Sequence, residues 1–336
     1  MRLLLIHTGG TLMMHGRESE PLAPDVYTRD LVSELPVLRK IAEIKTHILY
    51  NLDSSDLQPH HWIELGRTVH NAFYGNGPRY DGAVIIHGTD TMAFSASALA
   101  FLLPGLDRPV ILTGSQAPLS DVRTDARANL VDACHLATMP IAEVAIAFDS
   151  RLLRGCRATK LDAWSMTAFG SPSCPPLAEL GIDVVIAPHV LPPRPLHAFD
   201  DRIEPRVFVL RAFPGLDPSV LFAILGHNVR GLVIEAFGAG NVPRLENSLV
   251  PAIEAATQKG VPVVIVSQSP RGAVDLLRYE GGAAAARAGA ISAGDMTSEA
   301  ALTKLMIELG RAAQSTDVVA SVRNAFDDRS LGERTR

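Results

Sequence analysis

The chain has 336 residues, 47% of them hydrophobic and 20% charged, with a formal net charge of -5. That length exceeds the size at which a single core stops growing, so two domains are expected, and the composition leaves little room for extended disorder. The negative balance, with no basic stripe, excludes a nucleic-acid-binding role, and no run of 18 apolar residues is present to span a membrane.

The first apolar run, Leu3 to Ile6, is too short for a secretory h-region and meets Gly9-Gly10 before any cleavage-like site, so a cytoplasmic protein is expected. Three cysteines, Cys134, Cys156 and Cys174, are odd in number and form no CxxC or Cys/His array. That suits a reducing compartment and implies neither a disulfide framework nor a metal site.

The first run delivers Thr8-Gly9-Gly10-Thr11, where two glycines permit a tight turn that exposes backbone N–H groups beside two hydroxyls. A nucleophile fits such a place; so does a plain strand-to-loop turn. A dinucleotide-binding fingerprint is excluded, because Met13-Met14-His15-Gly16-Arg17 follows instead of G-x-G-x-x-G opening a helix. Next comes Leu52-Asp53-Ser54-Ser55-Asp56, just before a helical stretch starting near Pro59; taken alone it reads as a cap and a turn.

The run Ala83 to Ile86 ends in His87-Gly88-Thr89-Asp90-Thr91, directly before a helical stretch reaching Leu103. Asp90 or Thr91 would serve as the helix cap, which explains one of them and not both. A threonine near a helix N-terminus sits in positive potential, and the adjacent carboxylate suits a cation such as an ammonium group. His87, at a buried strand end, reads as a packed structural histidine.

Pro109 to Leu112, helical spacing over Asp125 to Ala137, and Val144 to Ala147 continue the pattern. Lys160, within Arg157-Ala158-Thr159-Lys160-Leu161-Asp162, is one of only five lysines. It reads either as a solvated loop charge or, if partly buried beside a threonine, as a proton acceptor.

Apolar runs without alternation indicate strands buried on both faces. The expected fold class is therefore α/β: a large N-terminal domain, 1–191, with a mostly parallel sheet flanked by helices. Ligands in such folds bind beyond the carboxyl ends of the strands, where every polar cluster above falls. The proline- and charge-rich stretch 192–206 reads as a linker. A smaller C-terminal α/β domain, 207–336, follows, with strands over Val207 to Leu210, Leu232 to Ile234 and Val263 to Val266 and a helix over Glu299 to Ala312. The run Gly281 to Ala286 reads as a helix or a loop with no assigned role.

TGGT at 8 to 11, DSSD at 53 to 56, HGTDT at 87 to 91, TGSQ-P at 113 to 118 and the Lys160 segment resemble, in order and spacing, the bacterial L-asparaginases. The resemblance extends to Phe237-Gly238-Ala239-Gly240-Asn241 and Asp295-Met296-Thr297-Ser298-Glu299, and so covers nearly the whole chain. It is nearer the cytoplasmic, type I branch than the periplasmic one. The resemblance implies an amidohydrolase in which Thr11 is the nucleophile and Thr89 the second catalytic threonine, with Asp90 and Lys160 around it. Ser54 and Ser55 would hold the substrate's α-carboxylate, Asp53 would line the pocket, and Asp90 would bind the α-ammonium. Asn241 and Glu299 resemble positions presented near a neighbouring subunit's site, which implies a homodimer or homotetramer; no metal or organic cofactor is implied. One departure stands out: the family often carries a tyrosine two residues before a loop proline, and aligning on Pro24 puts Leu22 there. Tyr27 falls at i, i+4 and i+8 with Leu31 and Leu35 on an expected helix beginning near Asp25, which assigns its ring to packing.

Three alternatives share these motifs. A glutaminase, or an enzyme of mixed preference, needs one more methylene of room, a difference of about 1–3 kcal/mol. An amidotransferase subunit acting on mischarged tRNA would need an extra N-terminal domain, for which TGGT at residue 8 leaves no space. A non-catalytic amino-acid sensor would keep Ser54, Ser55 and Asp90 without needing two threonines and Lys160.

Overall fold

A computed structural model describes residues 1–15, 23–24, 31–194 and 198–335. Leu22 and Tyr27 lie outside the described residues, as does the expected start of a helix at Asp25. The chain forms two compact units, Met1–Asp201 and Arg202–Arg336.

In the first unit the strands are β1 (Arg2–Gly9), β2 (Met14–His15), β3 (Ala23–Pro24), β4 (Glu43–Leu52), β5 (Gly82–Ile86), β6 (Val110–Thr113), β7 (Val144–Phe148), β8 (Arg151–Arg154), β9 (Thr159–Lys160), β10 (Phe169–Gly170), β11 (Ala178–Leu180) and β12 (Val184–Ile186). Its helices are α1 (Leu31–Glu34), α2 (Pro59–Tyr74), α3 (Met92–Leu102) and α4 (Ala126–Leu136). Eight strands make one sheet in the order β12-β11-β8-β7-β6-β5-β1-β4. From β4 to β7 every pairing is parallel, while β8, β11 and β12 are added antiparallel. The sheet is mostly parallel, as its unalternated strands require.

Burial on both faces is literal. Leu4, Ile6, Ala83, Ile85, Leu112 and Ile146 point to one side and pack with Leu65, Val69 and Phe73 of α2 and Met92, Ala96 and Leu99 of α3. Leu3, Leu5, Val84, Ile86, Ile111 and Ala145 point to the other, against Ala126, Leu130 and Ala133 of α4. Helix α2 is amphipathic, its buried residues recurring at i, i+4 and i+8, whereas α3 is buried nearly all round and so carries apolar or small residues throughout. Each buried leucine, isoleucine or valine among these contributes about 1.5–3 kcal/mol by removal from water, so the sheet is a firm base for the loops at its carboxyl edge.

A buried ion pair joins the start of β7 to the end of β8. Arg154 donates to Glu143 at 2.5 and 3.0 Å; Glu143 also accepts from Leu191 N at 2.7 Å, and Arg154 donates to His189 O at 2.8 Å. The satisfied hydrogen bonds offset the desolvation cost that makes buried charges unfavourable when unpaired.

The second unit holds β13 (Val207–Arg211), β14 (Gly231–Ala236), β15 (Val263–Ser267) and β16 (Ile291–Ser292), all parallel and in that order. Its helices are α5 (Ser219–Leu225), α6 (Val250–Gln258), α7 (Glu280–Arg287), α8 (Ser298–Arg311) and α9 (Val318–Asp327). Thus the Gly281 to Ala286 run is helical. Ile234, Ile265, Ile253 and Leu221 anchor its core. No helix among the described residues is long and apolar enough to cross a membrane.

Candidate active site

The polar clusters follow the carboxyl ends of β1, β4, β5 and β6, and backbone contacts bring three of them together. At Gly10 φ is +95°, and a Cβ there would lie 2.5 Å from the Cα and N of Gly88. At Gly88 a Cβ would lie 2.6 Å from the Cβ and Oγ of Ser54. Only glycine permits both approaches, so the turns after β1 and β5 touch backbone to backbone, and the Ser54 side chain at the start of the Ser54–Asp56 3-10 helix packs on the bare backbone of Gly88. Thr8 Oγ1, buried, adds a hydrogen bond to Ile86 O at 2.9 Å. The residues next along, Thr11 and Thr89, therefore stand on adjoining loops; Thr11 is half-buried and opens a short 3-10 turn, Thr11–Met13.

Lys160 comes from the other side, on β9, which pairs antiparallel with β10. Its Nζ donates to Thr89 Oγ1 at 2.8 Å and to Asp90 Oδ1 at 2.6 Å. Thr89 is buried, the Lys160 side chain is 19% exposed and the Asp90 side chain 66% exposed. The pair thus reaches from a sheltered hydroxyl to an open carboxylate. Thr89 Oγ1 in turn donates to Gln116 Oε1 at 3.2 Å.

The expected choice of Asp90 or Thr91 as the cap of α3 is corrected. Thr91 occupies the N-cap position, yet neither side chain caps: the Thr91 hydroxyl donates to Ser54 O at 2.7 Å, and Asp90 is turned to Lys160. Both residues serve contacts between loops instead of the helix end. Asp53 does cap, for its Oδ1 accepts from Ser55 N at 2.9 Å and from Ser55 Oγ at 2.8 Å. Ser54 is buried and Ser55 exposed. No cluster of three or more His, Cys, Asp or Glu able to hold a metal ion occurs among the described residues.

The model of the family Asparaginase, N-terminal, matches residues 2–190, and that of the Glutaminase/Asparaginase C-terminal domain matches residues 206–322. The chain belongs to the L-asparaginase family. It is 38% identical to an L-asparaginase of Thermococcus kodakarensis, over 100% of this chain and 99% of that protein. It is 35% identical to L-asparaginase 1 of Escherichia coli, over 99% and 98% of the two chains. The solved structure of the thermostable L-asparaginase from Thermococcus kodakarensis superposes with a TM-score of 0.88 at 36% identity, covering all of both chains.

Within this L-asparaginase fold, Asn241 and Glu299 belong to the second unit, beyond the carboxyl ends of β14 and β16. Asn241 N donates to Phe237 O at 2.8 Å, while its Oδ1 is buried with no hydrogen-bond partner among the described residues. Glu299 lies in the first turn of α8, whose N-cap Thr297 accepts from Ala300 N at 3.2 Å.

Three groups around Thr89 escaped the sequence reading. Gln116 was visible in the TGSQ motif without a role, and Asp125 and Asn129, on the loop and helix behind it, gave no signal at all. The third is a chain behind the β5–α3 loop: Trp62 Nε1 donates to Ser95 Oγ at 3.0 Å, Ser95 Oγ meets His87 Nε2 at 2.8 Å, and His87 Nδ1 meets Gly88 O at 2.7 Å. A carbonyl only accepts, so Nδ1 carries a proton; burial favours the neutral ring, which leaves Nε2 to accept from Ser95 Oγ.

Burial pushes the His87 imidazole down to about 4, against the opposing pull of the Gly88 carbonyl. Because the folded value lies below the ordinary 6.5, the unfolded chain binds this proton first as pH falls. Stability is complete above about pH 6.5 and is lost progressively down to about pH 4, by about 3 kcal/mol in all. Urea unfolding at pH 7 and pH 4.5 should show a fall in stability that is smaller by about 2–3 kcal/mol in His87→Gln. An equal fall in both proteins would remove His87 as its source.

Proposed function

We propose that this chain hydrolyses the side-chain amide of L-asparagine to L-aspartate and ammonia, through a threonine nucleophile and an acyl-enzyme. The observation that carries the reading is the contact of Lys160 with both Thr89 and Asp90 on the loop that touches the Gly10–Thr11 turn. A sensor of amino acids has no use for a lysine held on a buried hydroxyl.

In this reading the Thr11 hydroxyl attacks the amide carbon, forming a C–O bond and a tetrahedral oxyanion. Its proton passes into the Thr89–Lys160–Asp90 group and on to the leaving nitrogen, so that ammonia departs as the C–N bond breaks. Water then attacks the ester and releases aspartate. Backbone N–H groups at Gly10–Thr11 or Gly88–Thr89 supply the oxyanion donors, each worth about 3 kcal/mol by analogy with measured sites. Ser54 and Ser55 take the α-carboxylate, with Asp53 lining the pocket. Asp90 takes the α-ammonium on Oδ2, since Lys160 occupies Oδ1.

The same reading makes the protein cytoplasmic and a homodimer or homotetramer, with Asn241 and Glu299 near a partner's pocket.

Ammonia release measured side by side with asparagine and glutamine tests the function. The expected result is a higher kcat/KM for asparagine. Equal values would make the enzyme one of mixed preference, a higher value for glutamine would make it a glutaminase, and no turnover of either would defeat the enzymatic reading.

A further inference from the structure

We infer that Gln116 is a positioning residue that fixes the direction of the Thr89 hydroxyl, and so the resting arrangement of protons between Thr89 and Lys160. The inference rests on the role proposed for Thr89 and concerns a residue outside the Thr11, Thr89, Asp90 and Lys160 set.

The amide orientation of Gln116 follows from its two partners. Nε2 lies 3.2 Å from Ser165 O, and a carbonyl oxygen accepts only, so the NH2 end must face Ser165. The oxygen end then faces Thr89 Oγ1 at 3.2 Å and can only accept from it. A hydroxyl has one proton. With that proton committed to Gln116, the lone pairs of Thr89 face Lys160, which is therefore the donor across 2.8 Å as well as to Asp90 across 2.6 Å. One polarity runs through the whole chain: Lys160 donates to Asp90 and Thr89, Thr89 to Gln116, and Gln116 to Ser165.

Both anchors of Gln116 are built. The Asp125 carboxylate accepts from Gln116 N at 3.1 and 3.0 Å and from Ala117 N at 3.1 Å. Asn129, one turn further along α4, donates from Nδ2 to Asp125 Oδ2 at 3.0 Å and to Gly114 O at 3.0 Å, holding the other side of the same turn. On the facing loop, Asp162 accepts from Trp164 N at 2.7 Å and Ser165 N at 2.8 Å, which fixes the peptide that presents the Ser165 carbonyl. A surface loop has no need of this many side-chain hydrogen bonds merely to turn; here they set one amide in one orientation against a buried hydroxyl.

A simple tie between the two loops is the bland alternative, and two substitutions separate it from the inference. Gln116→Glu keeps an acceptor for Thr89 and loses the donor to Ser165; Gln116→Met keeps the length and loses both. The expected result with asparagine is a kcat lowered by about tenfold or more in Gln116→Met, with KM within about twofold, and a kcat within about threefold of wild type in Gln116→Glu. Equal impairment of the two variants would reduce Gln116 to a loop tie, and wild-type kcat in Gln116→Met would overturn the inference outright. Thr89→Val is measured alongside. If it is inactive while Gln116→Met is unimpaired, only the inference on Gln116 falls; if Thr89→Val itself keeps wild-type kcat, the role of Thr89 falls and this inference falls with it.

Discussion

Lys160→Met is expected to lower kcat by about 10³-fold, within the 10²–10⁴-fold that a positioned proton-transfer group supplies. Thr89→Val is expected to do the same, because in the proposed mechanism Lys160 acts through the Thr89 hydroxyl, 2.8 Å from Nζ. Methionine keeps the length and apolar stem of lysine, and valine keeps the shape of threonine, so packing around β9 and the β5–α3 loop is retained. Groups that act as one unit lose their contribution once, not twice. The double variant should therefore fall to about the level of either single variant. A double loss equal to the product of the two single losses would mean that Lys160 and Thr89 act independently, whatever their contact at rest.

The fold was legible because burial on both faces of a parallel strand forces an apolar run. Leu3 to Ile6, Ala83 to Ile86 and Val144 to Ala147 all became central strands. By the same physics β4 was illegible: Glu-Ile-Lys-Thr-His-Ile-Leu-Tyr-Asn-Leu lies at the sheet edge, half-exposed or exposed throughout, so nothing forces it to be apolar. The antiparallel β11 and β12 were missed because three residues are too few to show a period.

At the site, the loop after each strand was legible because glycine and small polar residues mark a close backbone approach, as Gly10 and Gly88 now display. Which side chain meets which was not. Thr91 reads locally as a cap, and only the fold reveals Ser54 O within its reach. Gln116 takes its orientation from Ser165, 49 residues away, and no spacing rule covers such a pair. Lys160 sits 71 residues from Thr89, and its place at the site came from resemblance to a family, not from pattern.

Thr11→Val is expected to abolish most turnover, by at least about 10³-fold in kcat, while leaving the thermal midpoint within a few degrees. The two parts of that expectation have separate causes. Thr11 is half-buried at the head of a single 3-10 turn, and valine matches the shape of threonine, so the exchange opens no cavity there. The backbone that sets its position is held by Gly10 against Gly88, and by Thr8 on Ile86 O, neither of which valine disturbs. What valine removes is the only atom at this position able to form the ester bond. Circular dichroism melting and steady-state ammonia release on the same preparation read the two parts together. Retained turnover would move the nucleophile elsewhere, with Thr89 next in line, because its hydroxyl is already held between a lysine and an amide oxygen. Lost turnover accompanied by a large fall in melting temperature would instead make Thr11 a packing residue and leave the attacking group unassigned.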